Sequence, residues 1–192
     1  GRQSAAMAVY EDILQRSQER TDRMTEVIAR SMLALCSLRH KDLAQAQAQL
    51  QEAGRYVDPE HQESYERYRA ALCRVAIDGS TRESAKEEIL DYLAWAEERQ
   101  VFSAVLDACL LLGRMSNPEE RVDWLQRGID QASLGGAERD LGRAYMELAA
   151  CQDQLGMASD ALDSYEQSLG WHEKTGQPRD VASATWAVGS MC

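Results

Sequence analysis

Thiols and imidazoles are the side chains of this chain best suited to nucleophilic or metal chemistry, and their spacing argues against both. The five cysteines, Cys36, Cys73, Cys109, Cys151 and Cys192, follow one another at steps of 37, 36, 42 and 41 residues. A zinc site or a redox dithiol needs close pairs such as C-x-x-C, and none occurs. The histidines, His40, His61 and His172, stand at or near expected helix ends, beside no nucleophile and no second ligand. Surface or capping roles are expected for them. There is no glycine-rich phosphate loop, no H-E-x-x-H and no G-x-S-x-G. Acid runs such as Glu87-Glu88, Glu97-Glu98 and Glu119-Glu120 read as solvated faces. The chain is therefore expected to be non-catalytic, with no metal and no cofactor.

What the cysteine steps do fit is a structural unit of about forty residues repeated along the chain. Small residues recur where stacked helices approach, and a free cysteine packs as a small hydrophobe. The composition agrees. There are only three prolines and one phenylalanine among 192 residues, and straight-chain helix formers abound. A net charge of −11 argues against nucleic acid or an anionic membrane as partner. No apolar run approaches the ~20 residues of a membrane span, no signal-peptide pattern opens the chain, and unpaired cysteines suit a reducing compartment. A cytoplasmic protein is expected.

Apolar periodicity between turn signals predicts ten helices, over 3–19, 22–39, 42–56, 61–78, 81–98, 100–114, 118–133, 138–154, 158–174 and 179–192. Asp58-Pro59-Glu60 and Asn117-Pro118-Glu119-Glu120 read as N-caps followed by a proline in the first helical position. Ser80-Thr81-Arg82-Glu83 is a capping-box candidate, and Gly135-Gly136 and Thr175-Gly176-Gln177-Pro178 read as turns. Short links make sequential helices antiparallel neighbours.

Shifting residues 121–152 by forty onto 161–192 aligns Asp123 with Asp163, Arg139-Asp140 with Arg179-Asp180 and Ala144 with Ala184. Val122, Ile129 and Leu141 fall on Leu162, Leu169 and Val181. This frame resembles the tetratricopeptide repeat, in a divergent form with long repeats. Ala161-Leu162, Tyr165 and Ser168-Leu169 follow the family's second helix, as do Ala6, Tyr10 and Ile13-Leu14, and Ala46, Leu50 and Ala53. Tyr145, Leu148 and Ala149 fit its first helix, whose small slot reads Ala34, Cys73, Cys109, Ala149 and Gly189.

The resemblance spans essentially the whole of residues 1–192. It implies one all-α, right-handed superhelical solenoid of stacked antiparallel hairpins, with first helices lining a concave groove. The chain starts on a second helix and ends within a first one, without a polar cap, so a longer parent protein is expected. Carrying the family's groove slots across selects Arg67, Arg74, Leu106, Leu110, Arg143, Met146 and Trp186 as partner-binding residues. Arginines suit carboxylates, and Leu, Met and Trp suit apolar side chains. The expected partner is a protein or peptide, acidic or amphipathic, with self-association through the apolar strip of the C-terminal helix. The function expected is a protein-interaction scaffold. The alternative is a sensor or regulatory segment of a larger signalling protein or transcription activator.

Overall fold

The computed structural model describes residues 2–135, 137–176 and 178–191, with side chains from residue 5 onward. Gly136, Gln177 and Cys192, which enter the expected turns and the cysteine series, lie outside the described residues. The elements in chain order are α1 (Arg2–Glu19), α2 (Arg23–Arg39), α3 (Leu43–Gly54), α4 (Gln62–Gly79), α5 (Arg82–Glu98), α6 (Phe102–Arg114), α7 (Pro118–Ala132), α8 (Glu138–Gln154), α9 (Ala158–Thr175) and α10 (Pro178–Met191). The described residues contain no strand. The fold is all-α, of the helical-repeat type.

Local chemistry explains where the helices start. Asp22, Asp42 and Asn117 each accept a hydrogen bond from the backbone N–H three residues on, at 3.1, 3.0 and 2.8 Å. Thr81 Oγ1 does the same for Ser84 at 3.3 Å. Asp58 departs from its expected role. Its carboxylate accepts from the Glu60 N–H in a turn, and His61 caps α4 instead. An Asx turn competes with helix initiation at Asp-Pro, which delays the helix.

Four links share one three-residue geometry. Thr21, Lys41, Gln100 and Gly156 have φ of 58°, 62°, 56° and 76°. The next residue's N–H returns to a carbonyl five positions back: Asp22 to Ser17, Asp42 to Ser37, Val101 to Ala96 and Met157 to Gln152, at 2.8–3.0 Å. This left-handed cap satisfies carbonyls that the helix end would otherwise strand.

Contacts divide the chain into two units, Gly1–Glu88 and Ile89–Cys192. In the first, α2 packs on α1, α3 and α4, and α3 packs on α4. Its core comprises Ala34, Ala46, Leu50, Ala71 and Val75, with Leu38, Tyr68 and Leu72 at the edge. In the second, α6 packs on α7 and α8, α8 on α7 and α9, and α9 on α10. Leu106, Leu110, Leu125, Ile129, Leu141 and Leu148 fill the main core there, and Ala149, Tyr165 and Ala187 form a smaller one.

Cys36, Cys73, Cys109 and Cys151 are free and buried, one each on α2, α4, α6 and α8. Cys109 explains the small slot: a Cβ built on Gly128 of α7 would stand 2.8 Å from the Cys109 Cβ. Two helices this close admit no larger pair. Burial pushes the Cys109 thiol up to about 12, which keeps it protonated and unreactive.

Candidate functional site

One concavity of the second unit lies between α8 and α10, with a volume of about 340 Å³. Helix α8 contributes Arg139, Asp140, Arg143 and Met146, spaced to share one face. The opposite face, Leu141, Ala144, Leu148 and Cys151, is committed to the core, which fixes the first face outward. Helix α10 contributes Asp180 and Ser183, while its Ala184 and Ala187 are buried. His172 of α9 also lines the cleft, and its side chain is only 3% exposed.

His172 reaches this place because α8 has no side chain at residue 142. A Cβ there would lie 2.6 Å from His172 Cε1 and 2.7 Å from Nδ1. Two buried polar contacts hold α9 against α8 on either side of the sequence. Ser168 Oγ donates to the Gly142 carbonyl at 2.7 Å, and Ser164 Oγ donates to Gln152 Oε1 at 2.7 Å. His172 Nδ1 is buried without a hydrogen-bond partner. The expectation of a surface or capping histidine is therefore corrected at residue 172, although His61 does cap α4 and His40 does end α2. No sequence signal marked His172, because its placement depends on a glycine thirty residues away on another helix.

The cleft is balanced in charge, with Arg139, Asp140 and Arg143 on α8 and Asp180 on α10. Arg143 stands at its rim, Nη2 3.6 Å from Asp140 Oδ1, with both side chains about half exposed. Arg143 and Met146, both selected as groove residues, line this cleft together with Ser183. Trp186 is on the same face of α10 as Ser183, one turn on, and 76% exposed.

The remaining expected residues divide. In the first unit, Arg67 is exposed on α4. Arg74 is half-buried and donates to the Ala70 carbonyl at 2.7 Å. Leu106 and Leu110 are corrected. They are 1% and 2% exposed and belong to the core with Leu125, Ile129 and Leu141. Helix α6 is buried on almost every face, from Ala104 to Leu106 and from Ala108 to Gly113, and such a helix has no side left for a partner.

The first unit has its own apolar recess between α3 and α4, lined by Leu50, Tyr68, Leu72 and Val75, with a volume of about 300 Å³. Among the described residues, no three His, Cys, Asp or Glu side chains are grouped to hold a metal ion. None of the described helices is long and apolar enough to cross a membrane.

No family model matches this chain, and no curated protein matches it in sequence. Solved structures do match in shape. The crystal structure of BtubC (BKLC) from P. vanneervenii is similar at TM-score 0.74 and 14% identity, over 100% of this chain and 83% of that one. A signal-transduction ATPase with numerous domains (STAND) from Pyrococcus horikoshii, described as having a tetratricopeptide repeat sensor, is similar at TM-score 0.66 and 18% identity. That match covers 93% of this chain and 28% of the other. At such identities the likeness is one of fold, and the fold it supports is a helical-repeat α-solenoid.

Proposed function

We propose that this chain is a non-catalytic, cytoplasmic protein-interaction module of tetratricopeptide type, which presents the α8–α10 cleft to a peptide or partner domain. The observation that carries the reading is the convergence of Arg143, Met146, Ser183 and the buried His172 on one open cleft, with the exposed Trp186 one turn away. A guanidinium and a thioether in the cleft, with an exposed indole one turn beyond Ser183, match the residue types that anchor protein interfaces. The balanced lining favours an amphipathic segment over a strongly acidic one.

The test is selection of a displayed peptide library on the protein, followed by fluorescence polarisation with the enriched peptides. Arg143→Glu and Trp186→Ser are both expected to weaken binding, by about tenfold or more for a central anchor. Enriched peptides that bind both variants as tightly as the parent would defeat the reading.

A second reading, a sensor or regulatory segment of a larger signalling protein, draws on the STAND neighbour, whose own description assigns its repeats to a sensor. Under it, ligand binding should change amide exchange along α9 and α10 and not only at the cleft rim.

A further inference from the structure

We propose that the α8–α10 cleft is a side-chain pocket for a carboxamide, the head group of asparagine or glutamine, with His172 as a recognition residue at its floor. This rests on the peptide-binding reading above and names the chemistry that the pocket would take.

Three observations lead there. First, His172 Nδ1 is buried without a partner. A buried N–H with no acceptor costs more than a bare lone pair, which favours the tautomer with its proton on Nε2. His172 is part of the cleft's lining, and in that tautomer its Nε2–H is the donor we assign to the floor. Second, the Ser183 hydroxyl already donates to the Arg179 carbonyl at 3.1 Å, which leaves its oxygen as an acceptor toward the cleft. Third, the rim carries arginine and aspartate in equal number. A carboxylate entering here would meet Asp140 and Asp180, and an ammonium would meet Arg139 and Arg143. Each would leave one set of charges opposed.

A carboxamide avoids both conflicts. Its oxygen accepts from His172 or the Arg143 guanidinium, and its NH₂ donates to the aspartates or to Ser183. The methylenes of the same side chain would lie along Met146, which is half-buried and able to adapt. A cleft of about 340 Å³ is of the order that holds one side chain or a small ligand.

The experiment titrates the protein with single capped residues, N-acetyl and C-amide derivatives of glutamine, glutamate, lysine and leucine. Imidazole NMR signals are the readout, and with three histidines in the chain they are readily assigned. The capped glutamine should move the His172 signals saturably and leave His40 and His61 unmoved. Glutamate and lysine should bind at least about fivefold more weakly, since a carboxylate has no donor for Asp140, Asp180 or Ser183 and an ammonium has no acceptor for His172. Ser183→Leu, on an exposed position of α10 where folding is not at stake, should abolish the shift. The proposal falls if capped glutamine leaves His172 unmoved, if glutamate, lysine or leucine matches it, or if Ser183→Leu binds like the parent. Should it fall while selected peptides still lose affinity on Arg143→Glu, the cleft remains the binding site and only the carboxamide assignment is lost.

Discussion

Arg30 Nε donates to Glu26 Oε1 at 3.0 Å, one helical turn away on α2, and the Glu26 side chain is only 2% exposed. The same carboxylate accepts from Arg23 at 2.8 Å and from Gln18 of α1 at 3.3 Å. Arg30 in turn donates to Gln49 Oε1 of α3 at 3.1 Å, and Arg23 lies over the Tyr56 ring at 4.1 Å. One buried acid thus ties three sequential helices together.

Removing that acid leaves Arg30, itself only 13% exposed, without its charge partner. Glu26→Ala is expected to cost about 3 kcal/mol in urea unfolding, since breaking a buried pair strands the other charge. Glu26→Gln should cost less, because it still fills the space.

Acid should act through the same residue. Burial pushes the Glu26 carboxyl up, but hydrogen bonds from Arg23, Arg30 and Gln18 together hold it below its usual value. A carboxyl depressed in the folded state contributes stability that is fully present above its unfolded pKa, about 4.3. That contribution is lost as pH falls through the folded value. The stability difference between the parent and Glu26→Gln should therefore be flat near neutrality and shrink below about pH 4. Urea titrations at several pH values would measure it, and a difference that grows on acidification would contradict the assignment.

Gly142→Ala tests the seat of His172. Alanine is the better helix former by about 1 kcal/mol, so an unobstructed site would gain stability. Here the added methyl meets a buried imidazole at under 3 Å, and the Ser168 contact to the Gly142 carbonyl holds the two helices together at that point. Net destabilisation of about 1–2 kcal/mol is expected. It should be accompanied by a changed His172 NMR signal.

The left-handed links give predictions of opposite sign. Lys41→Gly and Thr21→Gly relieve a side chain from positive φ and should stabilise by up to about 1 kcal/mol each. Gly156→Ala, at the equivalent turn, should lose a similar amount. Thermal unfolding of the three variants would show the contrast.

Thiol labelling separates the buried cysteines from any exposed one. In the folded chain Cys109 should react slowest, being fully buried with its thiol raised to about 12. In urea without reductant, five thiols should titrate.

The helices were legible to within two residues at each end, because apolar period, proline and cap chemistry are local signals. Ala46, Leu50 and Ala53 fell on the buried face as their spacing required. The site was legible only in part. Arg143 and Met146 were selected by the groove slots of the repeat that the chain resembles, and both line the cleft. Leu106 and Leu110 were misread because phase does not report how many faces of α6 are covered. His172 and Glu26 escaped altogether. One is seated by a glycine on another helix, and the other is held by arginines a turn away on its own helix and a glutamine from α1. Neither arrangement has a fixed spacing in the sequence.

The two serine contacts between α8 and α9 have a mechanical consequence. Sliding α9 by one turn along α8 would strip Ser168 from the Gly142 carbonyl and Ser164 from Gln152, stranding buried polar atoms at both places. The α8–α9 pair is thus a jaw of fixed register. Helix α10 packs on α9 with the small residues Ala184 and Ala187 buried, and carries the opposing lip of the cleft. The gape of the cleft is accordingly set by how α10 sits on α9.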